Sequence, residues 1–331
     1  MTDQKTTQTK TPEVVLLDTK DNKKTAFILG ASSRATGEKD TSFVATQLQS
    51  TRKLLNHEGR EIPIFILALE SQKEVARRQR LMSRLKYHGI EDSVTHIKGF
   101  DKVHPDVKLV HGGTGIATEA ETGCMLSHLK SIATFLLTSK EEYGLILECD
   151  AVPITTIKSD MIEVTKNIPK GTPLIMLNTY ITSYHDIQRV SDMFNTIGSQ
   201  AWSALAYLIS RSYAEQIMSK FINKYSLDKD EVKIEWKTYA QYKPEDCIPK
   251  NDKKPLTEAN KRVSSEIITT RSKGLLAKTQ YFIAESFDST LQTDYCLQHH
   301  LNFYKQFDLT KYADADIACE HDEILKYWGL L

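Results

Sequence analysis

The chain has 331 residues, 40% of them hydrophobic and 26% charged, a globular composition with enough apolar material for a sizeable core. Its 43 lysines and arginines balance 43 aspartates and glutamates, which removes any bulk pull toward nucleic acid or an anionic membrane and leaves anionic ligands to local clusters. The five cysteines (Cys124, Cys149, Cys247, Cys296, Cys319) are scattered and never form C-x-x-C, which argues against a zinc knuckle or a disulfide scaffold.

The N-terminal "MTDQKTTQTKTPE" is polar and lacks the apolar core of a secretory signal. Apolar runs such as Ile132–Leu137 fall far short of a membrane span, so the expectation is a soluble, cytoplasmic protein. Residues 1–23 read as a flexible tail with a short strand at Val14–Leu17. "TAFILG" (Thr25–Gly30) then reads as a strand and Thr41–Asn56 as a helix. Ile62–Leu69 is short, branched and continuously apolar, the pattern of a buried strand. Ser71 and Glu74 have capping-box spacing, which predicts a helix with Val75, Met82 and Leu85 buried and Gly89 as its stop.

A strand near Val94–Ile97 and a Gly-rich loop precede a helix over Cys124–Leu137. Further strands are expected on the apolar run Leu145–Leu147 and at Pro173–Leu177, Leu205–Ile209 and Gln280–Ala284, and a helix at Ser212–Tyr225. Residues 226–262 are polar and Pro-punctuated, and read as an inserted loop within a domain spanning 24–310. Residues 311–331 read as a C-terminal helical extension. Strands alternating with helices indicate an α/β fold with a largely parallel sheet, whose ligands bind beyond the carboxyl ends of the strands.

Such an end is occupied by "LILECD", where an apolar run opens onto Glu148 and Asp150. In extended backbone these two carboxylates share a side and Cys149 faces the other. Their hard oxygens suit magnesium or manganese with a substrate diphosphate completing the shell; a solvated strand end with an aspartate cap is the alternative. The helix after Ser71 carries Lys73, Arg77, Arg78, Arg80 and Arg84, cations that oppose its dipole in the first turns. A bound phosphate would favour them, and Arg77 and Arg78 are singled out for that; a solvated basic face is the alternative for the rest.

"ETGCMLSH" places Ser127 and His128 on a helix, with His128 one turn from Cys124. "FILGASSRATG" looks at first like a dehydrogenase cofactor loop, but Arg34 replaces the central glycine and Gly37 falls one residue late. Asp314 and Asp316 have Asp-x-Asp spacing without a preceding strand, so a helix cap is expected there.

Read in order, "IFILALESQKEVARRQRLMSRL", "ETGCMLSH", "LILECD", "LIMLN" and "ALAYLISRSYAEQI" resemble glycosyltransferase family 25, the family of lipooligosaccharide and collagen galactosyltransferases. The likeness runs over roughly residues 60–220 and weakens toward 290. It implies a GT-A-type α/β domain with a largely parallel central sheet flanked by helices. It further implies inverting transfer of a hexose, galactose or glucose, from a UDP-sugar to a glycan or protein hydroxyl. By the same likeness Mn2+ (or Mg2+) sits at Glu148 and Asp150, and Arg77 or Arg78 adds charge. Glu266 or Asp288 serves as general base, and Ser127, His128, Asn178 and Tyr207 position sugars. One departure stands out: the family's middle acidic residue is Cys149 here, a soft ligand to which no metal bond is assigned. That change leaves a second expectation, a non-catalytic relative that binds nucleotide-sugar or glycan.

Overall fold

The computed structural model describes residues 52–112, 117–178, 187–197, 201–249, 261–285 and 309–312, with strand segments at 15–17, 25–27 and 180–181. Two compact units divide the chain, Met1–Gln47 and Leu48–Leu331. In the first, β1 (Val15–Leu17) and β2 (Thr25–Phe27) pair antiparallel with each other, Val15 opposite Phe27. The cofactor-like loop through Gly37, Asp288, and the Asp314/Asp316 pair all lie outside the described residues. So does nearly all of the proposed C-terminal extension.

In the second unit the strands are β3 (Ile64–Ala68), β4 (Val94–Lys98), β5 (Tyr143–Glu148), β6 (Ala151–Pro153), β7 (Leu174–Met176), β8 (Tyr180–Ile181), β9 (Phe194–Thr196) and β10 (Ala201–Trp202). They continue with β11 (Ala206–Ser210), β12 (Ile222–Asp228), β13 (Glu231–Trp236), β14 (Ile248–Pro249), β15 (Lys261–Arg262), β16 (Leu275–Ala277) and β17 (Phe282–Ala284). The helices are α1 (Gln72–Tyr87), α2 (Pro105–His111), α3 (Glu119–Thr138), α4 (Ile157–Lys166), α5 (Arg211–Phe221) and α6 (Glu266–Thr270).

Seven strands form the central sheet in the order β4-β3-β5-β11-β7-β16-β9. The β4/β3, β3/β5 and β7/β16 pairs are parallel, while β11 runs antiparallel to both neighbours and β9 antiparallel to β16. The fold is therefore α/β as expected, with a mixed sheet in place of a largely parallel one. The reversal is physical: β11 enters between β5 and β7 from the far side, so its amino end lies beside the carboxyl ends of its neighbours.

Alternation along β3 divides the core. Ile64, Ile66 and Ala68 pack on one side with Leu81 and Leu85 of α1 and Ile157, Met161 and Val164 of α4. Phe65 and Leu67 pack on the other with Met125, Leu129 and Ile132 of α3 and Ile217 and Phe221 of α5. A period of two is what a strand buried on both faces requires. Each fully buried leucine, isoleucine or valine among them contributes roughly 1.5–3 kcal/mol.

Helix starts follow local chemistry. The Ser71 side chain accepts from the Glu74 N–H at 3.3 Å, but the Glu74 carboxylate is spent elsewhere, so only half of the predicted box forms. Thr118 and Glu121 make a complete capping box at the start of α3. Gly89 follows α1 in the left-handed region at φ 63°, where it relieves the helix end.

Several expectations are corrected. The helix expected over Thr41–Asn56 does not reach Arg52–Asn56, where Leu55 makes an antiparallel bridge to Glu61; residues 41–51 lie outside the described residues. The inserted loop at 226–262 is in part a hairpin. The expected helix to Tyr225 stops at Phe221, because "INKYSLD" and "EVKIEW" alternate as strands and pair from Ile222 to Trp236. Lys229 and Asp230 at its tip both have positive φ (46° and 68°), as a two-residue turn between twisted strands demands. The α1 stripe is not purely apolar: Glu74, Arg77, Leu81, Arg84 and Leu85 are buried, and Val75 and Met82 are only half-buried.

Candidate functional site

The carboxyl end of β5 is where chemistry-bearing side chains gather. Glu148 is the last strand residue and points to the α3 side, as the alternation from Ile146 requires. Its Oε1 lies 3.1 Å from His128 Nε2. A carboxylate has no proton to give, so Nε2 carries the hydrogen, and Nδ1 then accepts from the Tyr207 hydroxyl at 3.0 Å. Tyr207 comes from β11, whose amino end reaches this edge, and its ring stacks on His128 with centroids 5.7 Å apart. Cys124, one turn before His128, places Sγ 3.9 Å from the same Glu148 oxygen and 3.4 Å from Ser265 Oγ, just ahead of α6.

Cys149 falls on the opposite side and donates from Sγ to Glu74 Oε2 at 2.7 Å. The other Glu74 oxygen holds Arg77 Nη1 at 2.9 Å. Burial, then Asp150 and Glu74, push the Cys149 thiol far above its ordinary range, so it stays a neutral donor. Asp150 sits in the turn between β5 and β6. Burial and then Glu148 push its carboxyl up to about 7, with Arg77 acting against them. Burial would lower the Arg77 pKa, but Asp150 and Glu74 outweigh it and hold it above the ordinary value. Burial and Glu148 likewise keep the Cys124 thiol protonated.

The sequence-predicted residues divide on this geometry. Glu148, Asp150, Arg77 and His128 come together at one end of the sheet, with Glu266 beside them through its charge on Cys124. Glu266 also accepts from Ser264 Oγ at 3.3 Å and lies 3.8 Å from Arg262 Nη1, which in turn pairs with Glu121. Arg78 stands farther out and pairs with exposed Glu70 at 3.3 Å. Ser127 is buried with its hydroxyl engaged on both sides, donating to the Gly123 carbonyl at 2.7 Å and accepting from Phe100 N at 2.8 Å. Asn178 is buried too, donating to the Phe282 carbonyl at 2.7 Å and accepting from Ser203 Oγ at 2.8 Å.

A solvated basic face is not what α1 presents. Arg77 and Arg84 are 2% exposed, and Arg80 and Arg84 both pair with buried Glu285. An acidic partner in the fold, not solvent, favours these cations. Sequence reading missed Glu285 and Ser265, and gave Glu74 only a capping role. Only the i,i+4 spacing of Cys124 and His128 signalled any of the new contacts.

Comparison with protein-family models finds no match for this sequence, and none is found among curated proteins. The chemistry of the site itself therefore carries the functional argument. Glu148 and Asp150 are hard oxygen donors of the kind a divalent cation takes: both are half-buried, and Glu148 lies near enough to Asp150 to help burial raise its carboxyl to about 7. The Cys149 thiol does not fit such an ion, and it is turned away onto Glu74.

Proposed function

We propose that the chain is a glycosyltransferase of GT-A type that moves a hexose, galactose or glucose, from a UDP-sugar to a glycan or protein hydroxyl with inversion. The observation that carries this reading is the convergence of Glu148, Asp150 and Arg77 beyond the carboxyl end of β5, with Glu266 beside them. Ligands of α/β sheets bind at such edges. Mn2+ or Mg2+ held by Glu148 and Asp150 would neutralise a leaving diphosphate.

The protein's own groups account for the rest. Arg77, fixed by Glu74, keeps positive charge next to Asp150 without titrating. Arg78, on the next position of α1 and paired with Glu70 at its exposed end, is the cation assigned to a phosphate. Glu266 takes the acceptor hydroxyl proton as general base, with Ser264 and Arg262 holding its carboxylate in place. His128 fixes the Glu148 carboxylate and Tyr207 fixes the ring of His128; both are positioning residues. Ser127 and Asn178 act on sugars only through the loops they tie down.

The engagement of Cys149 with Glu74 favours one second reading, a relative that binds a nucleotide-sugar without turning it over. A panel of UDP-sugars assayed for UDP release with and without manganese separates the two. Manganese-dependent release supports the transferase. Manganese-dependent UDP binding without release from any donor supports the binding protein.

A further inference from the structure

The roles above use Glu148, and His128 through it, but leave Cys124 unused, although the three side chains meet. Four residues apart on α3, Cys124 and His128 lie on one helix face, and β5 brings Glu148 against them. His128 Nε2 is 3.1 Å and Cys124 Sγ 3.9 Å from Glu148 Oε1, and the three donor atoms all lie within 4.8 Å of one another. Bonds of about 2.0 Å to nitrogen and oxygen and about 2.3 Å to sulfur set tetrahedral ligand atoms roughly 3.3–3.6 Å apart. Modest side-chain adjustments, chiefly at Cys124, bring this triangle to that size.

We propose that Cys124, His128 and Glu148 form a binding site for a borderline-soft divalent cation of the zinc class, with a fourth position open to solvent beside Glu148. The Glu148 side chain is 27% exposed, which gives the ion its approach, while His128 is fully buried and cannot swing away. The surroundings are built for the role. In the metal-bound tautomer the Tyr207 hydroxyl turns to accept a hydrogen from Nδ1, 3.0 Å away, which frees the Nε2 lone pair for the ion. Ser265 Oγ is placed to donate to a Cys124 thiolate. Glu266 and Asp150 add negative charge at the sulfur, so a cation is favoured there where a bare thiolate is not.

Binding is a simple exchange. The ion replaces the Cys124 thiol proton, which leaves to solvent. The ring proton of His128 passes from Nε2 to Nδ1, and Glu148 trades its hydrogen bond for a bond to the ion. No electron is transferred. The proposal does not rest on the transferase reading: both cations would draw on Glu148, but a hard cation pairs it with Asp150, whereas this one pairs it with Cys124 and His128.

The test is titration of the metal-stripped full-length chain with Co2+ and then Zn2+, without nucleotide. One Co2+ per chain is expected to give the intense visible bands of a tetrahedral site and a thiolate-to-cobalt charge-transfer band, both removed by one equivalent of Zn2+. Cys124→Ser loses the charge-transfer band and binds Zn2+ at least about 100-fold more weakly, and Tyr207→Phe weakens it about 10-fold. Cys149→Ser, on the other side of the strand, keeps the band. Circular dichroism of each metal-free variant confirms its fold. A wild-type protein without tetrahedral cobalt bands, or a charge-transfer band that survives Cys124→Ser, overturns the proposal. Intact cobalt bands in a protein without manganese-dependent UDP binding would remove the transferase reading alone.

Discussion

The Cys149 thiol donates to Glu74 Oε2 at 2.7 Å, and the same carboxylate holds Arg77 through its other oxygen. A residue lying between two acids in the sequence is thus a neutral strut between β5 and α1. Replacing it with a carboxylate would set two negative charges against each other inside the protein. Cys149→Asp is expected to cost about 3–5 kcal/mol at pH 8, as an unpaired buried charge does. The loss should shrink at pH 5, where the new group takes up a proton. Thermal melts at the two pH values check this.

Asp150 makes a pH prediction of definite sign. Its carboxyl is raised from 3.8 to about 7 in the folded chain, by burial first and Glu148 second. The native state therefore binds the proton more tightly than the unfolded state. The stability tied to that proton is complete below pH 3.8 and is lost as pH rises through about 7. Asp150→Asn removes this loss. Its melting temperature should match wild type near pH 4 and exceed it by about 3–6 °C at pH 8 without metal. Equal melting of the two proteins at pH 8 would contradict the raised carboxyl of Asp150.

Glu285 receives both Arg80 and Arg84, and Arg84 and Glu285 are each 2% exposed. Glu285→Gln removes the buried negative charge that Arg80 and Arg84 share. A destabilisation of about 2–4 kcal/mol in urea is expected. Arg78→Ala breaks only an exposed pair with Glu70, so its cost should stay under about 1 kcal/mol.

Gly123 lets α3 lie against the backbone after β4: a Cβ there would come 2.5 Å from the Phe100 carbonyl oxygen. Alanine is the better helix former by about 1 kcal/mol. Even so, Gly123→Ala is expected to destabilise by about 1–3 kcal/mol, because the opposing atom is backbone and cannot rotate away. Since Gly123 is followed at once by Cys124, metal affinity at Cys124 and His128 should fall with it. Urea melts and cobalt spectra read the two effects separately.

Local signals in the sequence were enough for much of the fold. Ile64–Ala68 and Tyr143–Glu148 are legible because continuous branched runs of strand length leave little choice. Ser71 marks the start of α1 because a cap acts within one turn. The reversed direction of β11 was not legible, since direction is set by its pairing with β5 and β7 and not by its own residues. Nor was the role of the α1 arginines, whose acidic partner Glu285 lies some two hundred positions downstream. The hairpin from Ile222 to Trp236 hid in polar composition: its outer face is solvated, and only the alternation of Val232 and Ile234 betrayed it. At the site, the strand alternation correctly separated Glu148 from Cys149. The convergence of Cys124, Ser265 and Glu148 required the folded chain.

Calorimetric titration of the wild-type protein and of Asp150→Ala with UDP, each with and without manganese, tests the central claim most directly. The wild type should bind UDP at least about 10-fold more tightly with manganese, and Asp150→Ala should lose that gain entirely, a change of at least about 1.4 kcal/mol. UDP binding that ignores manganese, or a manganese effect that survives the loss of Asp150, would contradict it.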